Sequence, residues 1–335
     1  MKAYTINGYG KTKNLQLSEI PDPTIKEQDI LVQVYATGLN LLDAKIRNGE
    51  FNLLLPYKFP LILGHDVAGV VTKIGSRVQK FKVGDQVYAR PADFRIGTFA
   101  EFIAVHEDDA ALKPKNLTME EAASIPLVGL TVWQALVEKA NLQKGQKVFI
   151  QAGSGGVGTF AIQLAKHLGA TVATTTSPAN ADWVKSLGAD TVIDYQTEDF
   201  EKILQNFDVV LHSQDAKTLE KSLRILKPGG KLISISGPPD PDFATELKLS
   251  WPLKMIFGVL SHSARSQAKR LGVNFSFLFM KAQGEQLAKI TALIDSGVIR
   301  PIIDRVFPFE ATNEALRYVE AGRAKGKVII TVKRA

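Results

Sequence analysis

The chain has 335 residues and a mass of 36.6 kDa; at roughly 150 residues per domain this is two domains rather than one small module. With 45% hydrophobic and 22% charged residues and no apolar run of bilayer length, it is neither disordered nor membrane-spanning, and having no cysteine it excludes disulfides, thiolate nucleophiles and every cysteine-ligated metal site. The 41 Lys+Arg against 34 Asp+Glu leave +7, dispersed but densest at residues 265–270, a mild bias that an anionic ligand can use and that does not by itself indicate nucleic acid.

Residues 1–120 are turn-rich and carry alternating runs such as Ile30, Val32 and Val34, the pattern of a small all-β domain, with Gly84-Asp85 between Val83 and Val87 predicting a hairpin. From Lys147 the pattern changes to short β-branched runs separated by helical segments, which predicts βαβ units and a parallel sheet. Strands are expected at 148–151, 171–175, 191–194, 208–211 and 231–236. Between the first two, Val157, Phe160, Ala161, Leu164 and Leu168 recur at helical spacing, and Trp183, Val184 and Leu187 do so one unit later. Residues 227–230 read as a turn before the fifth strand and 237–241 as a rigid loop after it. An apolar edge strand at 275–279, helices at 286–295 and 313–320, and a last strand at 327–331 complete the pattern.

Gly153-Ser-Gly-Gly-Val-Gly158 fits G-x-G-x-x-G between an apolar strand and an amphipathic helix. There glycine permits the tight turn and lets backbone amides approach a pyrophosphate, while the helix N-terminus adds partial positive charge. An NAD site normally places a carboxylate about 20 residues on, at the end of the second strand. This chain has Ala173-Thr-Thr-Thr-Ser177 instead, hydroxyl donors with no acid to repel a 2′-phosphate, and Asp182 falls in the following helix. NADP(H) is therefore the expected cofactor, although the same residues would also serve as a plain helix cap.

Several segments together, Gly38-Leu-Asn-Leu-Leu-Asp-Ala-Lys45, Gly64-His-Asp-Val-Ala-Gly-Val-Val71, Val83-Gly-Asp-Gln-Val-Tyr88, Ala152-Gly-Ser-Gly-Gly-Val-Gly158 and Gly322-Arg-Ala-Lys-Gly-Lys-Val328, make the whole chain resemble the zinc-independent quinone oxidoreductases and enone or alkenal reductases of the medium-chain dehydrogenase/reductase superfamily. The resemblance implies an α/β protein in which a doubly wound parallel Rossmann sheet is inserted into a GroES-like, mostly-β catalytic domain. The corresponding boundaries are 1–120 for the first part of the catalytic domain, 121–265 for the Rossmann domain, and 266–335 for the end of its sheet and the return to the catalytic domain. It also implies a homodimer joined through edge strands at 275–279.

By the same resemblance, Asn40 lies near the nicotinamide ribose and Lys45 near the carboxamide and substrate. Thr131, Gly155, Gly156, Val157, Ser236, Gly237, Phe277 and Phe279 surround the cofactor, while Thr175, Thr176, Ser177, Asn180, Tyr195 and Arg323 hold its adenosine-phosphate end. Asn180 stands where many relatives have a phosphate-binding lysine, and His212-Ser-Gln-Asp215 replaces an aspartate and glycine turn. Zinc relatives carry cysteines at position 40 and near 129–131 and a His-Glu pair at 65–66. Here Asn40 and His65-Asp66 leave no such set, so no metal is expected.

The chemistry so implied is hydride addition to the β-carbon of an enone, or reduction of a quinone, with Lys45 stabilising the developing oxyanion. Asp43 orients Lys45 or caps the following helix. Tyr57, a water or Lys45 delivers the proton, and Phe51 and Tyr57, with Phe277 and Phe279, are candidate walls of an apolar pocket. The partners expected are a small quinone or enone and a second subunit, with no membrane and no nucleic acid. MKAYTINGYG carries no signal-peptide pattern, so a cytoplasmic location is expected. The alternatives are a zinc-type alcohol dehydrogenase and a cofactor-holding RNA-binding or structural protein with little turnover.

Overall fold

The computed structural model describes residues 1–11 and 13–334. They fall into two compact units, 1–130 with 281–335, and 131–280.

The first unit is built around the long strand Asp29–Leu39, whose alternating Ile30, Val32 and Val34 are fully buried. It pairs antiparallel with Val67–Ile74 and Phe102–His106 along its first part, and with Lys327–Thr331 toward its end. Among the described residues this sheet has seven strands, running Ile303–Pro308, Lys327–Thr331, Asp29–Leu39, Val67–Ile74, Gln86–Ala89 and Ala110–Leu112, with Phe102–His106 also on Asp29–Leu39. A smaller sheet orders Gln16–Glu19, Lys2–Ile6 and Leu61–Ile62. The expected hairpin at 83–87 is not one. Gly84, at φ +92°, makes a tight turn, but Gln86–Ala89 pairs with Val67–Ile74, across the long connection 75–85. The amide of Gly84 and the carbonyl of Asp85 both bond Val71, so the turn extends the pairing rather than creating it.

In the second unit six parallel strands lie in the order Thr191–Asp194, Thr171–Thr176, Lys147–Ile150, Phe207–His212, Leu226–Ser234 and Asn274–Phe277. The chain winds outward one way from Lys147–Ile150 and then the other, a doubly wound sheet whose switch point lies between Lys147–Ile150 and Phe207–His212. Helix Gly156–His167 buries Phe160, Ala161 and Leu164 on it, as their spacing requires. Residues 227–230 belong to the fifth strand as an irregularity, since Phe207 pairs with Leu226 and Val209 already with Lys231. Proline has no amide to give a ladder, and the strand absorbs it by bulging. Asn274–Phe277 is one edge of the sheet and Thr191–Asp194 the other. No helix among the described residues is long and apolar enough to cross a membrane.

Candidate functional site

In the first unit, strand Asp29–Leu39 runs directly into helix Leu41–Asn48, and Asn40 stands at the junction. The Asp43 carboxylate turns back to accept from the Asn40 amide at 2.8 Å, so it caps the helix; it also accepts from the Gly64 amide at 3.1 Å and meets His65 Nδ1 at 2.6 Å. Asp43 is thereby committed to the helix start and to His65, not to Lys45. A carboxylate on Nδ1 makes that nitrogen the donor. Among the described residues, His65 Nε2 is buried with no hydrogen-bond partner.

Beside it is a buried group that sequence reasoning missed. Lys327 Nζ donates to Asn40 Oδ1 at 2.5 Å and to Asp66 Oδ2 at 2.9 Å, while Asn40 Nδ2 donates to the same Asp66 oxygen at 2.9 Å. Asp66 Oδ1 accepts from the Leu127 amide at 2.6 Å. Asp66 is fully buried and Lys327 only 6% exposed, so the charges are answered by each other rather than by water. The sequence signal was a lysine opening an otherwise apolar strand.

Lys45 lies half-buried on the same helix, and its side chain forms no hydrogen bond or ion pair among the described residues. Tyr57 is differently placed: its hydroxyl donates to the Asp93 carbonyl at 2.6 Å, and burial, then Asp93, push it above its usual range. The Tyr57 hydroxyl proton is thereby engaged by a backbone carbonyl. Its ring lies 5.9 Å from that of Phe94, which is 66% exposed, and Phe51 is half-buried nearby in sequence. Arg323 is exposed on the loop before Lys327–Thr331.

In the second unit the glycine segment forms a cradle. The Gly153 amide bonds the Thr175 carbonyl at 2.9 Å, the Ala152 amide bonds Thr175 Oγ1 at 3.2 Å, and Ala152 takes φ +53°. The first helical bond runs from Thr159 to the Gly155 carbonyl, so the amides of Gly156, Val157 and Gly158 stand ahead of the ladder, where an anion is favoured. A Cβ at Gly158 would meet the Ala152 oxygen at 2.3 Å, whereas one at Gly155 would find only that oxygen at 3.4 Å. Thus Gly158 serves close packing and Gly155 keeps space open.

The threonine run divides its labour. Thr174 Oγ1 donates to the Ile150 carbonyl at 2.6 Å, so this hydroxyl is not available to a phosphate, and Thr175 anchors the glycine turn. Thr176 Oγ1 is buried without a partner among the described residues. Ser177 Oγ accepts from Asn180 Nδ2 at 3.2 Å, and the Tyr195 amide bonds the Thr176 carbonyl at 3.4 Å, with the tyrosine ring 62% exposed. An orphaned hydroxyl at the second strand's end, beside an open glycine cradle, fits a dinucleotide. Thr131 is buried at the start of this unit. Phe277 is core: it is 6% exposed and packs edge-on to Phe243, against which Phe279 also lies.

The segment after the fourth strand is held by His212. Its Nε2 faces the Asp215 carbonyl at 3.0 Å and must donate, so Nδ1 accepts from Ser234 Oγ at 2.8 Å. Ser234 in turn receives the Gly237 amide, and Ser236 bonds the Gln214 carbonyl at 2.7 Å, tying the two loops together. Burial lowers the His212 pKa from 6.5 to about 4. Unfolded chains therefore take up a proton that the folded one refuses, and stability is lost as pH falls from 6.5 toward 4, by about 3 kcal/mol. Urea unfolding across that window is expected to show this loss, and His212→Gln to lack most of it.

An alcohol dehydrogenase GroES-like domain model matches residues 26–115 and a zinc-binding dehydrogenase model residues 187–330. The mitochondrial NAD(P)H oxidoreductase RTN4IP1 of Danio rerio is 36% identical over 99% of this chain and 91% of its own length. The chain belongs to the medium-chain dehydrogenase/reductase superfamily. The chloroplastic NADPH-dependent alkenal/one oxidoreductase of Arabidopsis thaliana is 35% identical, covering 98% of this chain and 79% of its own length. The quinone oxidoreductase of Coxiella burnetii superimposes with a TM-score of 0.85 at 30% identity, covering 99% of both chains. This superfamily member is an α/β oxidoreductase with a Rossmann sheet and a GroES-like domain. Relatives named as mitochondrial and chloroplastic give the cytoplasmic expectation no support.

Zinc, which one matching model carries in its description, does not fit the donors present. Asn40 Oδ1 and Asp66 Oδ2 already hold the Lys327 ammonium, against which a dication would be placed, and His65 Nε2 alone is far short of three protein ligands. Among the described residues no three His, Asp or Glu side chains are grouped to hold a metal.

Proposed function

We propose that this chain is an NADPH-dependent reductase of quinones or α,β-unsaturated carbonyl compounds that works without a metal. The observation that carries the reading is the Lys327 ammonium bound to Asn40 and Asp66, because it removes the donors on which zinc-dependent alcohol chemistry would rest. The names of relatives as an alkenal/one oxidoreductase and a quinone oxidoreductase support the substrate class. When bound, the reduced nicotinamide supplies a hydride to an electron-poor carbon. Gly156 and Val157 hold the pyrophosphate with their amides, Gly155 leaves room for it, and Thr176, Ser177, Asn180, Tyr195 and Arg323 receive the adenosine-phosphate end. Lys45 Nζ donates to the oxygen on which charge gathers, and Asn40, fixed by Lys327 and Asp66, presents a rigid edge at the helix start. Removing this donor by Lys45→Met is expected to lower kcat at least about tenfold while leaving the unfolding midpoint in place.

The preference for NADPH rests on the missing carboxylate after Thr171–Thr176 and on the orphaned Thr176 hydroxyl. NADPH is expected to bind at least about tenfold more tightly than NADH by calorimetry, near 1.4 kcal/mol; equal affinities would refute the assignment. The position of Asn274–Phe277 at one edge of the sheet supports a homodimer that pairs these strands, with the outward Phe277 amide already held by Asp240 Oδ2 at 2.8 Å.

A further inference from the structure

Helix Trp251–Leu260 turns its apolar side to water. Trp251 (71% exposed), Met255 (61%), Ile256 (50%), Val259 (75%) and Leu260 (57%) fill one half of its surface at 100° per residue, and Phe257 alone is buried on the other. A surface helix ordinarily does the reverse, and a contiguous apolar face of this kind marks an interaction site. The surrounding charge is mainly basic, although the packed helix Pro241–Glu246 adds exposed Asp242 and Glu246, the latter paired with Lys139. Residues 247–280 contain Lys248, Lys254, Arg265, Lys269 and Arg270 but no Asp or Glu, and the next helix, His262–Arg270, leaves Lys269 and Arg270 exposed.

We propose that this helix docks on an anionic lipid surface, its apolar half at the acyl boundary and the neighbouring basic residues at the level of the headgroup phosphates. A second copy fits the face less well, because a two-fold contact would bring together two sets of five basic residues with only Asp242 and the Lys139-paired Glu246 of each copy to answer them. An RNA backbone would meet the charges and leave the apolar half in water. The expectation of no membrane partner rested on the absence of a long apolar run, which bears on spanning and not on lying at the surface.

The test is flotation of the full chain with vesicles of phosphatidylcholine alone or mixed with phosphatidylglycerol, at low and high salt. Binding to the anionic vesicles is expected to exceed that to neutral ones at least about tenfold, to weaken with salt, and to shift Trp251 emission to the blue. Met255→Gln/Val259→Gln is expected to abolish it while turnover of a water-soluble enone with NADPH is unchanged. Lys269→Gln/Arg270→Gln is expected to weaken it roughly 25-fold, at about fivefold per basic residue. Absence of flotation with either vesicle, equal binding by the variants, or a vesicle-free dimer that Met255→Gln/Val259→Gln dissociates would each overturn the proposal, the last assigning the face to a second copy. Flotation is read independently of the substrate assignment.

Discussion

Lys327→Met is expected to cost about 3–5 kcal/mol of stability, read as a lowered urea midpoint, because it strands the Asp66 carboxylate in the interior. Asp66 is fully buried, and of its donors the ammonium at 2.9 Å is the one that carries charge; Asn40 Nδ2 and the Leu127 amide remain, and neither neutralises it. Asn40 simultaneously loses the partner on Oδ1 and with it the fixed orientation of its amide. The discriminating measurement is Lys327→Met/Asp66→Asn, which removes both charges and is expected to regain more than half of the lost stability. If the double variant is as unstable as the sum of the singles, the two groups are not coupled and the assignment of Lys327 fails.

Gly158→Ala and Gly155→Ala are expected to fail differently. At Gly158 the added methyl meets the Ala152 carbonyl oxygen at 2.3 Å and Gly153 Cα at 2.7 Å, backbone atoms that yield only if the helix backs away from the strand. Stability is expected to fall by about 1–3 kcal/mol, and NADPH affinity at least about tenfold with it. At Gly155 the backbone is at φ −81°, ordinary for alanine, and the methyl enters open space. That variant should keep its unfolding midpoint and lose affinity alone, because the methyl occupies the space where the pyrophosphate is proposed to lie. Unchanged NADPH binding by Gly155→Ala would take the phosphates out of this turn.

Much of the second unit was legible because its strands are short β-branched runs, each punctuated by glycine or a helix with one apolar stripe. The glycine cradle was legible for the same reason: chemistry and local backbone geometry coincide within six consecutive residues. The bulge at 227–230 was not, since Lys-Pro-Gly-Gly has the composition of a turn and only the neighbouring strand keeps it in the sheet. The bond that holds the Tyr57 hydroxyl was not legible either, since its acceptor, the Asp93 carbonyl, stands 36 residues away. Lys327 was visible as part of a closing motif, but its partners Asn40 and Asp66 stand 287 and 261 residues earlier, and no periodicity reports a contact of that range.

A cation delivered by translation differs from one acquired from solution. With Lys327 filling that role, chelating agents and zinc starvation have nothing to extract there, and folding alone completes this corner of the protein.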